Sequence, residues 1–167
     1  IVTMGCYTDT ADMGDDYLCS IAYSVDTDGV IYVTDVVYSR EPMEYTERLV
    51  AAMLTEASTR KVYVESNNGG RGFARSLQRL LPKVKIEWFH QSGNKEARIF
   101  SNSATALHTL RMPKDWHLRW PEFYAHLTTF KRLFKANVHD DAADAITGIV
   151  EREVSSSERK LQRIKFI

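Results

Sequence analysis

Acidic side chains recur in this sequence where a strand ends or a helix begins. Asp9 closes the apolar opening stretch, Glu65 closes the short segment "KVYVE", and the stretch "VHDDAADAITGIV" places further aspartates at the start of an apolar helix. Carboxylates that meet at one place repel one another, so that one or more is forced toward protonation unless a cation is bound. These acids are therefore candidates for a metal site.

The helix that begins near Asp140 has its acids on one side. At about 100° per residue, Asp140, Asp141 and Asp144 fall within one arc, and the apolar side chains fall on the opposite side. The helix can therefore pack on a sheet while its acids face an edge. An acidic first turn that only complements the helix dipole is the alternative, although it leaves Asp9 and Glu65 unexplained.

The donor set indicates which metal and which reaction to expect. Sites with only oxygen ligands favour Mg²⁺ or Mn²⁺, whereas zinc sites favour Cys and His. Two such ions about 4 Å apart can activate a water and stabilise the leaving oxygen in phosphodiester cleavage. The expected chemistry is hydrolysis of a nucleic-acid backbone with two divalent cations as cofactors.

The charges are divided unevenly along a chain whose formal net charge is zero. Residues 1–65 are mainly acidic and residues 66–139 mainly basic. An acidic centre beside a basic surface suits an enzyme that binds both cations and phosphates, although folding can also mix such blocks in space. No apolar run of about 18 residues is present, so no membrane partner is expected.

The cysteines indicate the cellular compartment of the protein, and the first residue indicates whether the sequence is part of a longer chain. Cys6 and Cys19 form neither a CxxC pair nor a disulfide framework, which favours a reducing cytoplasm. The chain does not begin with Met, which suggests a piece of a longer protein.

The elements that must position the acids follow a mixed order. Three strand-like segments come first, with the turn signal "DTDG" between the second and third, and they favour an antiparallel meander. Helix, strand, helix, strand and further helices follow, and the crossover rule places "KVYVE" parallel to the first strand. Asp9 and Glu65 would then project at one carboxyl edge. This order predicts an α/β fold with a ribonuclease H-like mixed sheet, three antiparallel strands then parallel strands, flanked by helices.

Three later segments carry more local predictions. The segment "RMPKDWHLRWP" is predicted as loop or short strand, with Trp116 and Trp120 in the core rather than stacked on bases. A helix is predicted over "EFYAHLTTFKRLFK", after Pro121. Residues 1–152 are predicted to form the domain, and residues 153–167 a basic C-terminal tail, either frayed or a linker.

Four motifs in order resemble a known family. The stretches "YTDTADMGDDY", "VYVESNNGG", "SGNKEARI" and "VHDDAADAI" look like the carboxy-terminal nuclease domain of the large terminase subunit of tailed bacteriophages. The resemblance covers about residues 1–152. It implies a ribonuclease H-like fold and a metal-dependent endonuclease that cuts concatemeric viral double-stranded DNA before and after packaging.

The same resemblance implies partners and a location. The partners would be double-stranded DNA, the ATPase motor domain of the same full-length chain, the portal and the small terminase subunit, in the cytoplasm of the host cell. This chain contains no GxxxxGK[ST] phosphate loop, and "NNGGRG" lacks the Lys-Ser/Thr ending. ATP-driven packaging is therefore not assigned to these residues.

The resemblance also carries residue roles by position. Asp9 matches the first-strand metal ligand, Glu65 the ligand at the end of the fourth strand, and Asp141 the helix acid, so these three are predicted as catalytic. "DAAD" resembles the last motif of Holliday-junction resolvases, which makes Asp144 an additional predicted ligand. Asp140 competes with Asp141 for the helix position.

Supporting residues follow from the same motifs. Asp16, or its neighbour Asp15, matches an acid that supports the site after the first strand. His139 is predicted to hydrogen-bond near the metal or to approach it, with a simple role at the helix entry as the alternative.

Basic residues near the motifs are candidate DNA contacts. Lys95 and Arg98 belong to the family-like "NKEAR", while Arg71, Arg75 and Arg79 recur every four residues on one helix face. Contacts from such residues to phosphates would be largely independent of base sequence. A solvated helix face is the alternative for both groups.

Two other functions remain open at this point. A Holliday-junction resolvase or another ribonuclease H-like nuclease would share the metal acids but prefer branched DNA or a hybrid duplex. A non-catalytic DNA-docking or metal-binding module is the other. The acidic loop "DTADMGDDY" does not favour that module, because Ser20 stands where a calcium loop needs a bidentate Glu.

Overall fold

The computed structural model describes residues 3–11, 15–67, 69–131 and 137–164, with side chains described up to residue 154. Strands and helices alternate along most of this length. In chain order they are β1 Thr3–Asp9, β2 Leu18–Val25, β3 Ile31–Ser39, α1 Met43–Glu56, β4 Lys61–Glu65, α2 Gly70–Leu80, β5 Lys85–Phe89, α3 Lys95–Thr109, β6 Leu110–Arg111, α4 Trp116–Arg119, α5 Pro121–Thr128 and α6 Asp141–Ile164.

The described strands form one sheet in the order β5-β4-β1-β2-β3-β6. β1, β2 and β3 pair antiparallel, as the meander pattern predicts. β4 pairs parallel with β1, β5 with β4, and β6 with β3. The predicted ribonuclease H-like arrangement of three antiparallel strands followed by parallel ones is confirmed.

The register determines which strand ends meet at one edge. Asp9 lies opposite Cys19 at the start of β2, and Leu18 lies opposite Ser39 at the end of β3. Glu65, at the end of β4, lies opposite the last residue of β5. The carboxyl ends of β1, β3, β4 and β5 therefore lie along the same edge, where open α/β sheets place their sites.

Both faces of the sheet are covered by helices. On one face α1 and α2 pack against Cys6, Leu18 and Val62. On the other face α5 and α6 pack against Tyr7 and Ile21. Because Cys6 and Tyr7 are consecutive on β1, their opposite directions follow from the alternation of side chains along a strand. Central strands buried on both faces explain why their sequences read as nearly continuous apolar runs.

The hairpin between β2 and β3 is formed as its turn signal predicts. Asp26 Oδ1 accepts hydrogen bonds from the backbone N–H groups of Asp28 and Val30, at 3.0 and 2.9 Å. Gly29 follows with a φ of 81°. The two aspartates are therefore turn residues, because a short acidic side chain satisfies the amides that the turn leaves free.

The segment between β6 and α5 differs in part from its prediction. "RMPKDWHLRWP" contains the end of strand β6, as expected, but also the short helix α4, which the sequence reading missed. Trp120 is buried and Trp116 packs against the same core, which confirms their placement in the core.

Helix α5 is shorter than predicted. It ends at Thr128, whereas the pattern extended it to Lys135. The hydroxyls of Thr128 and Thr129 donate to the carbonyls of Tyr124 and Ala125, both at 2.7 Å. These hydroxyls compete for carbonyls in the last turn, which accounts for the early end. Residues 132–136 of the predicted helix lie outside the described residues.

Helix α6 is the longest element and continues past the predicted domain boundary. Its backbone runs to Ile164, so residue 152 falls inside the helix, and the division into domain and tail stays a prediction. No helix in the described part of the chain is long and apolar enough to cross a membrane.

Candidate metal centre

Three carboxylates meet at the carboxyl edge of the sheet. Asp9, Glu65 and Asp144 each offer one oxygen, and these oxygens all lie within 4.8 Å of one another. The residues come from the end of β1, the end of β4 and the first turn of α6. Glu65 and Asp144 are buried, with 3% and 1% of their surface exposed. Such a group could hold a cation.

A tight turn after β4 holds Glu65 beside β1. Gly69 has a φ of 87°, and a Cβ on Gly70 would overlap the carbonyl oxygen of Glu65. The Thr10 hydroxyl, which follows β1, donates to the carbonyls of Glu65 and Asn67, at 3.2 and 3.1 Å. The chain therefore enters α2 through a close turn, and Gly69 and Gly70 are needed there because the backbone and the helix approach each other directly.

Tyr7 contacts the cluster from the core, and the sequence reading missed it. Its side chain is fully buried, and its hydroxyl donates a hydrogen bond of 2.5 Å to Glu65 Oε1. A Cβ on Gly148 of α6 would overlap its ring. A signal was present, because Tyr7 lies two residues before Asp9 on the same strand face and Gly148 lies one helical turn after Asp144.

Burial and mutual repulsion make the cluster unfavourable without a cation. Burial raises the pKa of Asp9 well above its usual range, and the charge of Glu65 raises it further. Burial also raises the pKa of Glu65, while the Tyr7 hydrogen bond opposes this. Asp9 accepts no hydrogen bond and forms no ion pair within the described residues. All three side chains offer carboxylate oxygens, and such a donor set fits Mg²⁺ or Mn²⁺.

Helix α3 brings two basic side chains to the cluster. Asn94 caps this helix by accepting a hydrogen bond of 2.9 Å from the Ala97 N–H, which places Lys95 in the first turn. Lys95 Nζ lies 2.9 Å from Asp140 Oδ1 and 3.1 Å from Asp144 Oδ2. Burial alone would lower the pKa of Lys95, but the charges of Asp144 and of the nearby acids raise it overall. Lys95 is thus a cation already held inside the acidic site.

Arg98 occupies the other side of Asp144. Its guanidinium lies 3.0 Å from Asp144 Oδ1 and 2.9 Å from Glu151 Oε2. Residues 141–150 are all buried, so the acidic side of α6 is covered by α3 and does not face solvent. Because Lys95 and Arg98 are paired with acids of the site, their role as DNA contacts stays a prediction.

Asp141 lies outside the group of three. It is 5% exposed, and its Oδ2 accepts a hydrogen bond of 3.1 Å from the backbone N–H of Tyr17. Burial raises the pKa of Asp141, and this hydrogen bond opposes the rise. The structure therefore brings Asp144 to Asp9 and Glu65, and it places Asp141 where it anchors the start of β2.

The supporting residues lie around this start of α6. Asp140 is bound to Lys95, and Asp16 is exposed, close enough to contribute to the raised pKa of Asp141. The His139 ring stacks on His126 with ring centroids 4.6 Å apart, and its buried Nδ1 has no hydrogen-bond partner among the described residues. Neither Asp16 nor His139 belongs to the group of three carboxylates.

The basic face of α2 is exposed. Arg71, Arg75 and Arg79 are all exposed and form no ion pair within the described ranges. Arg71 lies in the first turn of α2, directly after the turn that holds Glu65. This face is therefore open to an anionic partner.

A comparison with protein families identifies the chain. Residues 8–112 match the family described as the ribonuclease H-like domain of the bacteriophage T7 terminase, and this range is more than half of the chain. The chain belongs to this terminase family. The matched range includes Asp9 and Glu65 and ends before α6, so it does not bear on the choice between Asp141 and Asp144. A comparison with curated proteins found no significant match.

Solved structures similar to this terminase domain share its fold. The nuclease domain of the large terminase subunit of the bacterial virus Sf6 has a TM-score of 0.64 at 14% identity, covering 87% of this chain and 86% of that one. The fowlpox virus Holliday junction resolvase has a TM-score of 0.55 at 14% identity, covering 89% and 98%. The Sf6 domain has also been solved with calcium and with manganese.

The metal-free terminase domain is expected to become more stable when Asp9 is replaced by asparagine at neutral pH. Because the pKa of Asp9 is raised in the folded state, its charge costs stability above that pKa, and the cost is absent below the unfolded-state pKa. The advantage of asparagine should therefore shrink as pH falls from about 8 toward about 4. Urea unfolding with a chelator measures this difference, and a destabilised variant at every pH would contradict it.

Proposed function

We propose that this terminase nuclease domain is a metal-dependent endonuclease that cleaves concatemeric viral double-stranded DNA during genome packaging. The observation that carries the proposal is the convergence of Asp9, Glu65 and Asp144 from three separate elements. A fold alone would not support a cleavage function, because one fold hosts many activities. Carboxylates that repel one another destabilise the folded state, and a role in binding a cation explains why they are placed together.

The proposed cofactors are two divalent cations, Mg²⁺ or Mn²⁺. Asp9, Glu65 and Asp144 would be ligands, and Asp140 would complete the second position. Such cations activate a water and stabilise the leaving oxygen in phosphodiester hydrolysis. The presence of calcium and manganese in solved structures of the Sf6 nuclease domain supports divalent-cation use.

The chain's own residues would divide the remaining work. Lys95 and Arg98 offset the charge of Asp144 while no cation is bound, since both contact its carboxylate. Arg71 and Arg75, both exposed on α2, would contact the phosphate backbone. Lys95 is 38% exposed at its side chain and could contact DNA once a cation takes over the charge of Asp144.

The biological setting extends the same proposal. The domain would act with the ATPase motor domain of its full-length chain, with the portal and with the small terminase subunit. It would do so in the cytoplasm of the host cell. ATP hydrolysis would be supplied by the motor domain, because this chain has no phosphate loop.

Plasmid nicking tests the proposal. The native domain is expected to nick supercoiled plasmid with Mn²⁺ or Mg²⁺ and not with excess chelator. Asp9→Asn should lower the rate by about a hundredfold or more, because it removes a charged ligand while the fold is retained. Glu56→Gln is the matched control, since this exposed acid ends α1 at the opposite edge of the sheet. Native activity in Asp9→Asn, or none in the native domain with either metal, would refute the nuclease function.

A resolvase activity is the second candidate. The fold that the domain shares with the fowlpox virus Holliday junction resolvase supports it. Plasmid, a four-way junction and an RNA/DNA hybrid should therefore be compared at equal concentration. Preference for the junction would favour a resolvase, and binding without cleavage of any substrate would favour a non-catalytic docking module.

A further inference from the structure

Tyr7 holds Glu65 through a buried hydrogen bond. The Tyr7 side chain is fully enclosed, and its hydroxyl donates to Glu65 Oε1 at 2.5 Å. An enclosed hydroxyl cannot exchange its partner for bulk solvent, so leaving it unpaired would be costly. The hydrogen bond therefore favours a single orientation of the Glu65 carboxylate.

The Tyr7 ring is itself fixed from two sides. Its centroid lies 5.9 Å from that of Phe89, at the end of β5. On the other side it packs against Gly148, where no larger side chain fits. Because α6 carries both Gly148 and Asp144, the ring connects the position of Glu65 to the helix that supplies the third carboxylate.

We propose that Tyr7 is a positioning residue of the metal centre that makes Glu65 selective for small divalent cations. Its hydroxyl engages Oε1 and leaves the other oxygen, Oε2, for the cation. This inference rests on the proposed metal-dependent function and deepens it. It concerns which cation the site prefers, and Tyr7 itself touches neither cation nor DNA.

The selectivity follows from the way the two kinds of cation use a carboxylate. Ca²⁺ takes 6–8 oxygen ligands in flexible geometry and often binds both oxygens of one carboxylate. Mg²⁺ requires near-ideal octahedral geometry, which the narrow angle between two oxygens of one carboxylate does not fit. A Glu65 with one oxygen committed to Tyr7 therefore suits Mg²⁺ or Mn²⁺ better than Ca²⁺.

Tyr7→Phe tests the inference because it removes only the hydroxyl. Isothermal titration calorimetry with MnCl₂, MgCl₂ and CaCl₂ measures binding directly, without DNA or catalysis. The Mn²⁺ and Mg²⁺ affinities should fall roughly tenfold to a hundredfold, as for other residues that orient a metal ligand. The Ca²⁺ affinity should fall less, so that the preference for small cations decreases.

Tyr23→Phe is the matched control. Tyr23 is buried in the same core, packs against a glycine, Gly5, and donates from its hydroxyl to Glu153 Oε1 at 2.7 Å. Glu153 does not belong to the carboxylate cluster. This variant loses the same type of hydrogen bond and should leave all three cation affinities unchanged.

The outcomes separate this inference from the proposed function. A folded Tyr7→Phe domain with native affinities and native preference would overturn the role of Tyr7 and leave the nuclease function standing. A native domain that binds neither Mn²⁺ nor Mg²⁺ would overturn both.

A crystal structure of the native domain with Mn²⁺ gives a test that needs no variant. The Tyr7 hydroxyl should remain on Glu65 Oε1, with the cation on Oε2 alone. Coordination through both oxygens of Glu65 would contradict the inference, even if Tyr7→Phe failed to fold.

Discussion

Replacing Asp144 with asparagine is expected to lower plasmid nicking by about a hundredfold or more, whereas Asp141→Asn keeps the rate within about tenfold of native. Asp144 shares the cluster with Asp9 and Glu65. Asp141 instead accepts the Tyr17 N–H, and the amide oxygen of asparagine can accept the same hydrogen bond. Rates should be compared at saturating Mn²⁺.

The two aspartate variants also act as controls for each other. They make the same chemical change three residues apart on one buried helix. Asp144→Asn leaves Lys95 with Asp140, and Arg98 with Glu151, so the fold should survive, and circular dichroism checks this. If Asp141→Asn lost as much activity as Asp144→Asn while remaining folded, Asp141 would regain the catalytic role that the family resemblance implies.

Gly148→Ala is expected to lower the free energy of unfolding by roughly 1–3 kcal/mol, the usual cost of overpacking a core. The added methyl would overlap the Tyr7 ring, which is enclosed and tied to Glu65. The ring cannot move without breaking that hydrogen bond, so nicking activity should fall as well. Urea unfolding in a chelator and plasmid nicking with Mn²⁺ measure the two effects.

Gly72→Ala is the matched control, because the same substitution at this position is not expected to lower the free energy of unfolding. Gly72 lies on the exposed side of α2, and an added Cβ there meets no atom within 4 Å. Alanine favours helix over glycine by about 1 kcal/mol, so this variant should be neutral or slightly more stable. Equal stability of the two variants would show that the contact between Tyr7 and α6 is looser than the structure indicates.

The strand-end acids could be predicted from the sequence for clear physical reasons. Short apolar stretches that end in an acid locate the ends of β1 and β4, and the crossover rule places these ends side by side. Asp9 and Glu65 therefore meet as expected. The long buried helix and the core tryptophans follow from the same patterns of burial.

The choice between Asp141 and Asp144 could not be predicted in the same way. A helical wheel gives the angle between them, about 60°, but not the rotation of the helix against the sheet. Two tertiary contacts hold α6 in its rotation: Tyr7 packs against Gly148, and Arg98 of α3 pairs with Asp144. None of these contacts is local in sequence.

The roles of Lys95 and Arg98 show a similar limit. Their helix and their positive charge are evident from the sequence, but their partners are about 45 residues away. A basic residue in a nucleic-acid enzyme invites a DNA-binding interpretation, and only the folded structure shows that both are paired with Asp144. The end of α5 was predicted wrongly for a local reason. The sequence pattern continues past Thr128 and Thr129, but their hydroxyls bond to carbonyls of the last turn and the helix ends there.

The wide separation of the three carboxylates along the chain bears on how the protein is made. Asp9 leaves the ribosome well before Asp144, because β1 is translated before the helix that carries Asp144. A nascent chain that has already paired β1 with β4 still lacks the third acid, and α6 must dock before the cluster exists. Domains fold as synthesis proceeds, so the centre is completed only at the end. A nuclease built on this cluster would therefore be inactive while its own chain is still being translated among the nucleic acids of the ribosome.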